Sequence, residues 1–128
     1  MSNRVSIYSE DFPHANPVPA ACRIDRMVCS GVIYGRDPQT QQVPADMDRQ
    51  CELMFMHMRK IIEAAGGSLD NVIKVTLWME DKSQRAIVNR HWEALFPDPQ
   101  SRPARHTLDA TLSGNALIHC DFIAVLDS

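Results

Sequence analysis

The sequence predicts a single α+β domain: a mostly antiparallel sheet with two helices on one face. Three observations carry that expectation. The chain has 128 residues, 45% of them hydrophobic and 23% charged, enough for one core and short for two. Apolar residues recur at helical spacing in two stretches, 47–65 and 83–95, and alternate in several shorter ones. The stretches run strand, strand, a possible third strand, helix, strand, helix, strand, strand, an order that places helices together against an antiparallel sheet.

Taken in order, Val5-Ser6-Ile7-Tyr8 reads as a short strand, and Ser9 to Pro19 as a loop, because Pro13, Pro17 and Pro19 cannot sit inside a sheet. Cys22-Arg23-Ile24 and Met27-Val28-Cys29-Ser30 form a hairpin turning at Asp25-Arg26, and Val32-Ile33-Tyr34 continues it past a bulge at Gly31. A polar turn follows, centred on Asp37-Pro38. Met47, Cys51, Met54, Met58, Ile61, Ile62 and Ala65 then mark one helix face, stopped by Gly66-Gly67. Met54 and Met58 lie on that stripe and are read as core filling rather than a soft-metal site. Val72 to Met79 is a strand with Ile73, Val75, Leu77 and Met79 on one face and Lys74, Thr76 and Trp78 on the other.

Ser83 is the expected N-cap of the second helix, which carries Ile87, Val88, Trp92 and Leu95 and ends at Phe96-Pro97-Asp98-Pro99. A strand starts after Pro103, with Arg105, Thr107, Asp109 and Thr111 on its polar face and His106, Leu108, Ala110 and Leu112 toward the core. Ser113-Gly114-Asn115 is read as a hairpin turn into a last strand from Ala116 to Leu126. With Gly114 near its centre, Asp109 faces His119 and Thr107 faces Asp121. Arg105, Thr107, His119 and Asp121 would then share a face: a planar cation for a carboxylate, a hydroxyl, and a base that titrates near neutral pH.

The uncovered sheet face carries too many apolar groups to remain in water, so a cyclic oligomer with sites between subunits is expected. Thirteen basic residues against sixteen acidic, a net charge of −3 and no basic cluster argue against a nucleic-acid surface. No segment is apolar enough to span or anchor in a membrane, and the chain is read as soluble and cytoplasmic. Cys22, Cys29, Cys51 and Cys120 form no C-x-x-C pair, so they are read as free, mostly buried thiols with neither metal nor disulfide framework. A metal site from His106, His119 and Asp121 is disfavoured because the two histidines are assigned to opposite faces. His14, His57 and His91 receive no role.

Ser30-Gly31, Asp37-Pro38, Gln50, Gly66, Val88-Asn89, Phe96, Pro103-Ala104-Arg105 and Ile123-Ala124, in this order and spacing, resemble the landmarks of the Rid family, also called YjgF or L-PSP. The resemblance spans nearly the whole chain. It implies a chorismate-mutase-like fold, a homotrimer with clefts between subunits, no metal or organic cofactor, and hydrolysis of enamine or imine acids such as 2-aminoacrylate to a 2-keto acid and ammonia. Arg105 matches the family arginine that grips the substrate carboxylate; Ser30, Gly31 and Asn89 match positions near the cleft. The chain departs from the family at three places: His119 stands where deaminase members have a glutamate, Thr107 where they often have a cysteine, and Val18 where they have a tyrosine.

The site residues read from the sequence are therefore Arg105 and His119 as catalytic groups, with Ser30, Gly31, Asn89, Thr107 and Asp121 contacting substrate. Two classes of function fit them. One is an imine or enamine deaminase with a histidine-adapted site; the other is a non-catalytic trimer that binds small carboxylates or a protein partner in the same cleft. Arg105 has a second reading as an intersubunit ion pair, and His119 as an interface group. Ribonuclease activity, historically attached to the family name, finds no support in an acidic chain without a His-Lys-His constellation.

Overall fold

In a computed structural model, which describes residues 3–127, the strands are β1 (Val5–Ile7), β2 (Ala21–Ile24), β3 (Met27–Ser30), β4 (Ile33–Tyr34), β5 (Val72–Met79), β6 (Ala104–Asp109) and β7 (Ile118–Val125), and the helices are α1 (Met47–Ala64) and α2 (Arg85–Leu95). All strands join one sheet in the order β1-β2-β3-β7-β5-β6, with β4 also paired to β7. Every pairing is antiparallel except β5 with β6. The expected α+β class and element order hold. No helix among the described residues is long and apolar enough to cross a membrane.

α1 forms where the spacing placed it. Asp46 caps its start by accepting the Arg49 N–H, and its stripe of Cys51, Met54, Met58, Ile61 and Ile62 is wholly buried. Its end is a Schellman turn: Gly66 N–H donates to Glu63 O and Gly67 N–H to Ile62 O, with Gly66 at φ +98. This face packs on Val28, Ile33, Val75, Leu77, Ile118, Cys120, Phe122 and Ala124, and α2 adds Val88 and Trp92 to the same core.

α2 begins differently from expectation. Ser83 does not cap it; a 3-10 turn, Lys82–Gln84, precedes the helix, and Asp81 accepts the Ser83 N–H. Asp81, two residues earlier, takes the capping role instead, so the first turn starts at Lys82 and Ser83 falls inside it. Ile73 is also displaced. The β5–β7 register shifts between Val72 and Lys74, and this bulge turns Ile73 out to 52% exposure while Val72, Val75, Leu77 and Met79 remain buried.

The larger correction concerns β6. It does not hairpin with β7; it runs parallel to β5, Val75 opposite Arg105 and Leu77 opposite Thr107, while β7 occupies the other edge of β5. The crossover through α2 returns the chain to the end where β5 began, so the next strand pairs parallel. Residues 110–117 then arch over the end of β5, where Ala110 N–H donates to Met79 O (3.0 Å), Leu112 N–H to Glu80 Oε1 (2.7 Å) and Glu80 N–H to Leu117 O (3.2 Å).

Gln50 fastens this arch to α1. Fully buried, its amide nitrogen donates to Pro44 O (2.7 Å) and Asn115 O (3.0 Å), and its oxygen accepts the Leu117 N–H (2.8 Å). The backbone of Gln50 also lies against Gly35, where an added Cβ would sit 2.4 Å from its carbonyl oxygen. Replacing Gln50 by leucine keeps the volume but strands one donor and two acceptors. We expect a loss of about 2–4 kcal/mol, read as a lowered urea midpoint at unchanged m-value.

Candidate active site

Residues paired across neighbouring strands share a sheet face, and the observed register divides the expected site. Arg105 and Thr107 align with Val75 and Leu77 on the helix-covered face, whereas His119 and Asp121 align with Trp78 and Thr76 on the open one. The four side chains therefore do not converge within one subunit. Leu108 and His106 reverse too: they align with Trp78 and Thr76 on the open face, where His106 is exposed. His106 thus shares a face with His119, with β5 between their strands.

Arg105 is held from α2. Its Nη2 donates to Asn89 Oδ1 at 2.7 Å, and its guanidinium carbon lies 5.1 Å from the centre of the Trp92 ring. Asn89 and Trp92 are three residues apart on the helix and so face the same strand. Among the described residues no carboxylate forms an ion pair with Arg105. Burial, and secondarily the Arg85 charge, lower its pKa, yet a guanidinium remains a cation at any working pH. A half-buried cation stacked on an indole, oriented by a neutral amide and lacking its own counter-ion is suited to a carboxylate from outside.

The second group lies across the sheet. Val32, Trp78, Thr111, Leu112, Ser113, His119 and Asp121 line an open hollow of about 490 Å³. Trp78 Nε1–H donates to Asp121 Oδ2 at 3.0 Å, and the Tyr34 ring lies 5.4 Å from that of His119. Burial lowers the His119 pKa, so the imidazole is neutral at neutral pH and has a nitrogen free of a proton. That is the state able to orient a water and accept from it.

Ser30 and Gly31 serve the fold first. Ser30 Oγ accepts the Phe122 N–H (2.8 Å) and donates to Gly31 O (2.9 Å), bridging the step where β7 passes from β3 to β4, while Gly31 N–H donates to Ala20 O (2.9 Å). A Cβ at Gly31 would meet nothing closer than 3.8 Å. Trp92 and Trp78 belong to the candidate site although the sequence reading used them only as packing residues. The available signal was their spacing, Trp92 three after Asn89 and Trp78 on the alternate face of β5.

A chain with this fold has known relatives. A family model described as endoribonuclease L-PSP matches residues 8–126. The chain belongs to the Rid/YjgF/L-PSP family. It is 29% identical over 123 residues to a protein from Escherichia coli K12 named 2-iminobutanoate/2-iminopropanoate deaminase, covering 94% of this chain and 96% of that one. Among solved structures, the E. coli YjgF gene product superimposes with a TM-score of 0.86 at 27% identity, covering 94% of this chain and 98% of the other. E. coli TdcF, solved with bound serine, gives the same TM-score, identity and coverage.

The histidines left without a role are now placed within this Rid-family fold. His91 Nε2 and Arg90 Nη2 both lie against Asp48 Oδ1, at 2.7 and 2.6 Å, joining α2 to the start of α1. His57 is fully buried beneath Phe12 (ring centres 4.7 Å apart), its Nε2 donating to Arg36 O at 2.7 Å. Arg36 in turn donates to Pro13 O and the Tyr34 hydroxyl, pinning the 9–19 loop. Burial lowers the pKa of His57 despite the Arg36 carbonyl, and burial followed by the Arg36 charge lowers that of His14.

Below about pH 6.5 the unfolded chain therefore binds more protons than the folded one at His14, His57 and His119, and stability must fall as pH drops through the interval beneath that value. We expect the urea midpoint to decrease from pH 7.5 to pH 5.5, and His57→Gln, which retains a donor for Arg36 O, to flatten the dependence. An equally steep profile in that variant would assign the effect to other groups.

Proposed function

We propose that this Rid-family chain is a hydrolytic deaminase of small imine and enamine carboxylic acids, working as a cyclic homotrimer with each site shared between two subunits. The observation that carries the reading is Arg105: a half-buried guanidinium, set by Asn89 and Trp92, with no carboxylate pairing it among the described residues. A relative named for deamination of 2-iminobutanoate and 2-iminopropanoate, and another solved with serine bound, agree with a ligand that is a small α-substituted acid.

In this mechanism Arg105 holds the carboxylate and Thr107, on the same face, contacts the ligand beside it. A neutral His119, steadied near Asp121 and Trp78, orients a water and takes its proton as oxygen attacks the iminium carbon. The carbinolamine then collapses: the proton returns from His119 to nitrogen, and the C–N bond breaks as the C=O bond forms. His119 takes the hydroxyl proton, which passes to the departing ammonia as ammonium, and the 2-keto acid remains. An enamine enters after gaining a proton at carbon. Ser30 and Gly31 contribute shape, since their N–H and hydroxyl groups are already engaged within the subunit. The histidine where related deaminases have a glutamate makes the site less anionic and is the atypical feature of this member.

The separation of the two groups supports a site shared between copies of the chain. Arg105 and His119 lie on opposite faces of one sheet, so they can meet around one small molecule only when the β6 side of one copy approaches the open face of the next. Such a contact joins unlike surfaces, the kind of interface that builds a ring when its rotation closes, and a cyclic trimer is the ring proposed here. The open face supports this reading with Ile24, Met27 and Val32 at 47%, 52% and 40% exposure.

Arg105→Ala is expected to reduce kcat/KM for an imino acid generated in situ by an amino-acid oxidase by about 100-fold or more, roughly 3 kcal/mol of transition-state binding, without loss of the trimer. His119→Ala should also lose activity. Mixing the two inactive variants under conditions of subunit exchange discriminates further: shared sites regain about a quarter of wild-type activity, because random cyclic assembly brings one intact Arg105 to one intact His119 with that frequency. No recovery in mixed trimers would place each site within one subunit. Carboxylate binding without turnover in the wild type would support a non-catalytic binder instead.

A further inference from the structure

An imidazole that acts as a base is ordinarily aimed by a hydrogen bond at its other nitrogen. His119 is held differently: burial alone lowers its pKa, with neither a hydrogen bond nor a charge contributing. Two aromatic residues stand opposite it across β7, Tyr34 on β4 and Trp78 on β5. Trp78 gives its indole N–H to Asp121, and Tyr34 stacks on the imidazole, with ring centres 5.4 Å apart and 34° between the planes. That separation falls inside the favourable range of about 4.5–7 Å for aromatic pairs.

Tyr34 is itself immobilised. Its hydroxyl accepts from Arg36 Nη1 at 3.2 Å, and its ring stands edge-on to Phe12, 5.0 Å away. Phe12 is buried and packs on His57 as well, while Arg36 also donates to Pro13 O at 2.6 Å. The Tyr34 ring therefore cannot turn without disturbing the 9–19 loop and a core side chain.

Resting on the deaminase reading, in which His119 is the base, we propose that Tyr34 is the positioning residue for His119: its ring sets the plane of the imidazole and screens one face of it from water. The charged groups on the elements around His119 are Asp121 on β7, Lys74 on β5, Glu80 just past β5 and Arg36 just past β4; residues 110–117 carry none. None of them contributes to the lowered pKa. Removing the Tyr34 ring thus acts on His119 through solvent access and freedom of rotation, not through a lost charge.

The His119 Hε1 resonance, identified by its loss in His119→Ala, is titrated by NMR beside the pH profile of imino-acid turnover, in wild type, Tyr34→Phe, Tyr34→Leu and Tyr34→Ala. Phenylalanine keeps the ring, so the midpoint should stay at the wild-type value and kcat within about twofold of it. Alanine should lower kcat about tenfold or more at little change in KM, and move the midpoint up toward the ordinary value of about 6.5. Because the base works unprotonated, the acid limb of the profile moves to higher pH with it. Leucine, which fills the position without a flat ring, should lose kcat as alanine does, and it carries the test if the alanine variant does not fold. The proposal is overturned by a folded Tyr34→Ala with an unmoved His119 midpoint, by wild-type kcat in Tyr34→Leu, or by a Tyr34→Phe as damaged as the alanine variant, which would assign the role to the hydroxyl and Arg36. A wild type without turnover overturns the deaminase reading instead; the NMR midpoints, which need no turnover, still decide whether Tyr34 holds His119.

Discussion

The two-sided pairing of β5 governs the rest of the molecule. A strand with β7 on one edge and β6 on the other is paired on both sides, and its alternation assigns a face to every residue paired with it. Val75, Leu77 and Met79 anchor the helix side, so Arg105 and Thr107 are carried there; Trp78 and Thr76 look outward, so His119 and Asp121 are carried outward. The Gln50 clip is what makes this arrangement affordable for the 110–117 arch, because backbone groups crossing the end of β5 would otherwise be buried without partners.

Arg105 is oriented without being neutralised. A guanidinium left half-buried without a counter-ion is an unfavourable arrangement for stability alone. Here the Asn89 amide and the Trp92 ring orient it without neutralising it. Had an Asp or Glu stood in place of Asn89, the cation would be satisfied within the chain and unavailable to a ligand. His119 complements it, since burial alone is enough to keep the imidazole uncharged.

Much of this was legible locally. The 3- and 4-residue spacing from Met47 to Ile62 located α1 because only one face of a helix meets the sheet, and the Asp25-Arg26 turn located a hairpin. Ile73 was misplaced because a bulge is a backbone event that alternation cannot announce. Ser83 was misread as a cap because Asp81, two residues earlier, starts the 3-10 turn that places Ser83 inside it. Arg105 stood out beside Pro103 and among the family landmarks, but its partners Asn89 and Trp92 lie on another element.

The sequence by itself determined the α+β class, the order of elements, the helix faces and membership of the family, because each is written in short-range spacing or in side-chain identity. Tertiary structure alone decided which strands are neighbours and therefore which side chains share a face. The strand after Pro103 had two available edges, an antiparallel one beside β7 and a parallel one beside β5, with the same local pattern in either case. The crossover through α2 selected the second, and with it the separation of Arg105 from His119, because pairing is a long-range choice to which local alternation is blind.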